Sequence, residues 1–139
     1  MEKIFVDTSG WVGLFVANDE THKKAVSIFE GLKKKKTPMY TSDYVLDETI
    51  TTILARGNHK QSVIAGKVLF TSEIIKIVYV YPDYFRATWE LYQKYKDKQF
   101  SFTDVSSFSI MKDLNIKKAF AFDREFIQAG IELISRLYI

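Results

Sequence analysis

A three-layer α/β/α sandwich on a mostly parallel central sheet is the fold this sequence predicts, and three observations carry the prediction. Short β-rich apolar runs alternate with helical patterns along the chain, so successive strands need crossover helices and pair in parallel. Two of those runs, Ile4-Phe5-Val6 and Ala119 to Phe122, stop abruptly at an acid, as buried strands do where they emerge from a sheet. The length of 139 residues falls within the roughly 100–200 residues of one domain. Residues 1–139 are therefore read as a single domain with one core.

Element by element, Ile4 to Val6 is a buried strand that turns at Asp7-Thr8-Ser9-Gly10 into an apolar helix from Trp11 to Val16. Asn18, Asp19 or Thr21 caps a second helix with Ala25, Ile28, Phe29 and Leu32 on one face, ending in Lys33 to Lys36. Pro38 marks a stop, and Met39-Tyr40 forms a brief strand. Ser42 or Asp43 then caps a helix in which Leu46, Ile50, Ile53 and Leu54 share a stripe, closed by Gly57-Asn58. Residues 60–71 are helical, Ile74 to Val80 is a strand, and Pro82 opens a helix through Trp89 and Leu91 toward Lys98. Thr103 to Leu114 is the next helix, Ala119 to Phe122 a strand, Glu125 to Ala129 a short helix, and Ile131 to Ile134 a last strand.

Composition removes whole classes of chemistry. Without cysteine there are no disulfides, no thiolate nucleophile and no cysteine-held zinc or iron–sulfur site. The longest apolar stretch, Trp11 to Ala17, is far short of the roughly 20 residues that span a bilayer, and Asp7 interrupts any signal-peptide core. The expectation is an unexported protein of the cytoplasm with no membrane contact. His22 and His59, the only histidines, sit in polar, lysine-flanked settings that suit the surface. No Gly-rich phosphate loop, nucleophile elbow or His-Glu-x-x-His zinc sequence is present.

Four acids stand out by placement: Asp7 after the first strand, Glu48 within the third helix, Asp104 at a helix start and Asp123 after a late strand. Ligands of open parallel sheets bind beyond the C-terminal strand ends, where Asp7 and Asp123 fall, and a helix start at Asp104 can face the same way. Glu48 lies about 200° around its helix from Leu46, nearly opposite the apolar stripe. Its neighbour Asp47 is the alternative. Local roles compete, since Asp7 and Asp123 each precede a helix they can cap and Ser101-Phe102-Thr103-Asp104 matches a capping box. If the four converge, their repulsion needs a hard divalent cation, Mg²⁺ or Mn²⁺. Such an ion polarises a phosphate oxygen and activates water, which is phosphodiester hydrolysis without a protein nucleophile.

These residues, in their local sequence, resemble a known family. Phe5-Val6-Asp7-Thr8-Ser9-Gly10-Trp11, the helix from Glu48 through Arg56, Ser101-Phe102-Thr103-Asp104 and Ala121-Phe122-Asp123-Arg124-Glu125-Phe126 are similar, in order along the whole chain, to PIN domains. The resemblance implies that Asp7, Glu48, Asp104 and Asp123 form the acidic quartet of a metal-dependent endoribonuclease, with Thr8 or Ser9 a polar helper beside the metal. Small free-standing members are often VapC-type toxins, so it also implies an RNA substrate, a small antitoxin partner and a homodimer. The alternatives are a housekeeping RNA-processing nuclease, a receiver-like signalling domain, or an RNA-binding module without activity. A receiver expects paired N-terminal acids, whereas only Asp7 ends the first strand.

Setting the four acids aside leaves 13 Asp and Glu against 20 Lys and Arg, so a net charge of +3 becomes +7 over the remaining surface. Lys33 to Lys36, Arg56 with Lys60, the Lys94, Lys96, Lys98 series and Lys117-Lys118 are candidate phosphate contacts, with Tyr92 and Tyr95 placed to stack bases.

Overall fold

The structure, a computed structural model, describes residues 2–135. Strands β1 (Ile4–Val6), β2 (Met39–Ser42), β3 (Ile75–Val78), β4 (Lys118–Phe120) and β5 (Glu132–Leu133) form one sheet in the order β3-β2-β1-β4-β5, parallel throughout. The connections are helical: α1 (Thr8–Phe15) and α2 (His22–Lys34), α3 (Asp43–Arg56) and α4 (His59–Thr71), α5 (Phe85–Lys94) and α6 (Phe102–Asp113), then α7 (Arg124–Gln128). Because parallel crossovers are right-handed, the connections that step from β1 out to β3 lay α1 to α4 on one face. Those that return through β4 to β5 lay α5 to α7 on the other. The predicted three layers follow, and the order 3-2-1-4-5 differs from the 2-1-3-4-5 order of receiver-like sheets, which removes that alternative.

Local chemistry sets most boundaries. Ser42 caps α3 by accepting from the Val45 N–H at 3.1 Å, and Asn58 caps α4 by accepting from Gln61 at 2.8 Å. Three helices end in the same way, each just ahead of a strand. Lys36, Asn115 and Gly130 take positive φ, and the next residue's N–H donates back into the last turn: Thr37 to Leu32 at 2.9 Å, Ile116 to Met111 at 2.8 Å and Ile131 to Phe126 at 2.9 Å. This termination closes the last carbonyls and turns the chain into the next strand.

The core lies on both faces of the sheet, with Ile4, Phe5, Met39, Ala119 and Phe120 fully buried. Trp11 is enclosed as well, and its indole N–H donates to Thr41 Oγ1 at 3.1 Å while Thr41 donates to the Val6 carbonyl at 3.0 Å.

Several boundaries differ from those predicted. Strand β3 is shorter than Ile74 to Val80, with Val80 leaving the ladder to donate its N–H to Asp43 at 2.9 Å. The helix that Pro82 was expected to open starts only at Phe85 and stops at Lys94, short of Lys98. The buried stripe of α3 is Val45, Leu46, Thr49 and Ile53, while Leu54 is largely exposed. A buried threonine in a stripe reads as polar in sequence, which is why the apolar count shifted toward Leu54. His22 is half-buried rather than a surface residue, its Nδ1 lying 2.8 Å from the Gly13 carbonyl oxygen. No helix among the described residues is long and apolar enough to cross a membrane.

Candidate active site

Crossovers leave β1 and β4 in opposite directions, so a crevice opens between their C-terminal ends, where open α/β sheets bind ligands. Asp7 directly follows β1, and its N–H donates to the Phe120 carbonyl at the end of β4 at 3.1 Å. Asp123 follows β4 three residues later. Both occupy the cap position of the next helix, yet neither side chain makes a cap hydrogen bond. Their carboxylates are thus available to the crevice. Asp104 differs: Ser101 N–H donates to its Oδ2 at 3.1 Å and its own N–H donates to Ser101 Oγ at 3.0 Å, a complete capping box. One oxygen serves the helix and the carboxylate still carries its charge toward the other acids.

Asp7 is 2% exposed, and its Oδ1 has no hydrogen-bond partner. Burial holds its carboxyl well above the ordinary value, and the charges of Asp123, Asp104 and Glu48 push it further. Burial likewise raises Asp104, with Glu125 and Glu48 adding to the rise while the bonds to Ser101 oppose it. Asp123 is raised by burial, then by Glu125 and Glu48, and partly offset by the side chains of Ser9 and Asp7. Four elements therefore bring the four predicted acids into mutual electrostatic reach.

Glu48 is exposed on α3, which packs against α1. It borders two adjoining depressions: one of about 390 Å³ with Thr8, Ser9, Asp123 and Arg56, the other of about 400 Å³ with Tyr44, Asp47 and Thr103. Asp47 borders only the second and is not among the charges that chiefly act on Asp7, Asp104 or Asp123. Glu125, in the first turn of α7, does act on two of them. Sequence reading passed over this fifth acid, although its position two residues after the strand-end Asp123 was a usable signal.

Thr8 and Ser9 fill different roles. Thr8 is buried with an unpartnered Oγ1 on the wall of the first depression. Ser9 Oγ accepts from the Phe122 N–H at 2.8 Å, tying α1 to the segment that carries Asp123. The glycine that follows is needed for that approach: a Cβ at Gly10 would lie 2.5 Å from the Phe120 carbonyl oxygen.

Basic residues divide by position. Arg56 borders the acidic depression and donates from Nη1 to Asp19 Oδ1 at 2.7 Å. Asp19, which also accepts from Thr21, has its carboxyl lowered to about 2, first by Thr21 and then by Arg56. Lys117 and Lys118 lie at the start of β4, the far end of the sheet from the acids, with Lys118 paired to Glu2 at 3.1 Å. Lys33 to Lys36 close α2 just ahead of β2, at that same far end.

An all-oxygen donor set with an orphaned buried carboxylate oxygen suits a hard divalent cation. Among the described residues, no three acidic or histidine side chains are gathered tightly enough to enclose an ion unaided. A cation here would take one or two of the carboxylates, leaving the rest of its shell to water and substrate phosphate.

The sequence and the fold both have known relatives. The PIN-domain model matches residues 4–132. The 23S rRNA-specific endonuclease VapC20 of Mycobacterium tuberculosis is 34% identical over 127 residues, covering 91% of this chain and 94% of that protein. The crystal structure of VapC20, described as a sarcin–ricin loop cleaving toxin, superposes with a TM-score of 0.81 over 92% of this chain and 95% of the other. FitAcB from Neisseria gonorrhoeae, at 15% identity, shares the fold with a TM-score of 0.64 over 94% and 95% of the two chains. Matched along nearly its full length by the family model and by VapC20 in both sequence and structure, this chain belongs to the PIN-domain family, in the VapC branch.

Proposed function

We propose that this protein is an Mg²⁺- or Mn²⁺-dependent endoribonuclease that hydrolyses RNA phosphodiester bonds, acting as the toxin of a toxin–antitoxin pair. The observation that carries the reading is the buried Asp7 carboxylate at the end of β1, whose Oδ1 has no partner, with three further acids acting on it. Asp7, Glu48, Asp104 and Asp123 are the residues that would hold the cation, one or two of them directly and the others through their charge, and Thr8 adds a hydroxyl beside them. When bound, the cation supplies a water of lowered pKa and a polarised phosphoryl oxygen. The chain's own contribution is position. Asp7 is fixed by its backbone bond to β4, Asp104 by its capping box, and the Asp123 segment by Ser9. Arg56, braced by Asp19, presents a guanidinium to a backbone phosphate at the mouth of an otherwise acidic cleft. Similarity to VapC20, a 23S rRNA-specific endonuclease described as a toxin, supports ribosomal RNA as the substrate class and a small antitoxin as the partner; the resemblance to VapC-type toxins extends the proposal to a homodimer in the cytoplasm.

Purified protein incubated with a sarcin–ricin hairpin and with unstructured RNA tests the reading. Cleavage is expected with Mn²⁺ or Mg²⁺ and none in EDTA. Asp7→Asn, Glu48→Gln and Asp123→Asn should each lose at least about 100-fold in rate, since each removes charge from the site. Asp47→Asn should not. Metal-independent cleavage, or full activity in Asp7→Asn, overturns the assignment; RNA binding without cleavage under all these conditions leaves an inactive binding module.

A further inference from the structure

Helix α5 carries two apolar faces where its packing needs one. Tyr84, Thr88, Leu91 and Tyr95 recur at helical spacing and turn inward, Tyr95 meeting Phe100 and Phe108 edge-on. Phe85, Trp89 and Tyr92, at i, i+4 and i+7, form a second stripe on the outside. Trp89 is 48% exposed, and Tyr81, just ahead of the helix, 70%. An exposed stripe of large rings contributes little to folding and marks a surface that meets a ligand. These rings are also held in place. Phe102, at the start of α6, makes edge contacts with Phe85 and Tyr92 at 5.8 and 5.7 Å between centroids, and Trp89 lies nearly parallel to Tyr92 at 18°.

We propose that this outer face of α5 binds unpaired RNA, its rings stacking on bases while Lys96 and Lys98 meet the phosphates, and so leads the strand to the acidic cleft. The proposal rests on the ribonuclease reading above and names how its substrate is held. Charge fits the occupant: Lys96 and Lys98 border the groove beside Trp89 and Tyr92, and Lys96 has no ion pair among the described residues. One short segment links the groove to the cleft: Ser101 lines the groove and its hydroxyl accepts from the Asp104 N–H, and the ring of the next residue, Phe102, lies beside that of Tyr44, which borders the depression with Glu48. Length fits too. Phe85 to Tyr92 spans about 10 Å of helix, the extent of about three stacked nucleotides. Successive rings with lysines favour RNA; α4 exposes Val63, Ile64 and Val68 with a single ring, Phe70, near Lys60 and Lys67, and so lacks a row of rings on which neighbouring bases could stack.

The protein contains its own probe. Of its two tryptophans, Trp11 is fully buried, so a quencher on the surface reports Trp89. In EDTA, to prevent cleavage, short oligoadenylate should quench tryptophan emission saturably, and a base-free ribose-phosphate strand of equal length should not. Trp89→Ala and Tyr92→Ala should each weaken oligoadenylate binding by roughly 5- to 100-fold, while Trp89→Phe retains most of it. Lys96→Ala should flatten the salt dependence of binding. Equal affinity for the base-free strand, or wild-type affinity in both alanine variants as judged by anisotropy of labelled RNA, overturns the proposal. So does a dimer that Trp89→Ala dissociates without changing RNA affinity, because the face then belongs to a second copy. With Mn²⁺ restored, cleavage whose KM ignores both alanine variants sinks the stacking face and leaves the ribonuclease reading standing. Quenching by RNA that is never cleaved does the reverse.

Discussion

Gly10→Ala and Gly66→Ala place the same methyl group in two helices and should shift stability in opposite directions. At Gly10 the new Cβ would meet the Phe120 carbonyl oxygen at 2.5 Å, with Phe120 Cδ1 at 3.1 Å and Val6 Cγ1 at 3.2 Å. The nearest atom is backbone already engaged by the Asp7 N–H, so it cannot swing aside. Relief requires the start of α1 to lift by about 1 Å to restore ordinary contact near 3.5 Å. Overpacking of this kind costs about 1–3 kcal/mol, against a gain of about 1 kcal/mol for alanine over glycine in a helix. At Gly66 in α4 the nearest atoms are Ile50 Cδ1 at 3.8 Å and Phe70 Cε2 at 4.0 Å, ordinary contacts, so only the gain remains. For a chain of 139 residues the unfolding entropy is about 0.3 kcal/mol per degree. Gly66→Ala should therefore melt about 2–3 °C above wild type and Gly10→Ala up to about 7 °C below it, by circular dichroism in EDTA. Lifting α1 also strains the Ser9 bond to Phe122, and a misplacement near 1 Å costs on the order of 100-fold in rate. Gly10→Ala melting as high as Gly66→Ala while cleaving RNA at the wild-type rate would falsify the close-approach argument.

Other outcomes follow from the same geometry. Asp7 is an acid raised on folding, so in metal-free protein it favours the folded state most below its ordinary value of 3.8, and that advantage is lost as pH rises through the folded value. Melting temperature in EDTA should thus fall with rising pH above about 4, Asp7→Asn should flatten the fall, and Mn²⁺ should restore stability to wild type but not to the variant. Asp104→Asn keeps a carbonyl that can accept from Ser101 and loses a charge the site disfavours. It should melt at or above wild type in EDTA and gain less from Mn²⁺; a lower melt with an undiminished metal gain would make Asp104 a helix cap alone. Thr41→Val strands the Trp11 indole N–H in the core and should cost about 1–3 kcal/mol, read as a drop of roughly 3–10 °C. Arg56→Ala should raise KM for RNA several-fold with little change in kcat; an unchanged KM would reduce Arg56 to a brace for Asp19.

By itself the sequence determined what depends on neighbours a turn or two away. Alternating apolar runs, the Ser42 and Ser101 caps, and acids at the ends of β1 and β4 are local signals, because capping and helical periodicity act over three or four residues. Tertiary structure decided the rest. Parallel strands share no hairpin turn, so nothing local states that β1 and β4 are neighbours, and only their pairing sets Asp7 beside Asp123. Packing of α3 on α1 set Glu48 rather than Asp47 to act on Asp7, and the placement of α7 after β4 let the unforeseen Glu125 act on Asp104 as well as on its near neighbour Asp123. Helix packing likewise buried Thr49 and left Leu54 exposed on α3, and α5, packed on α6, keeps its aromatic stripe in water. Which of two apolar faces is covered depends on the neighbours available to cover it, and those are fixed by contacts far apart in the chain.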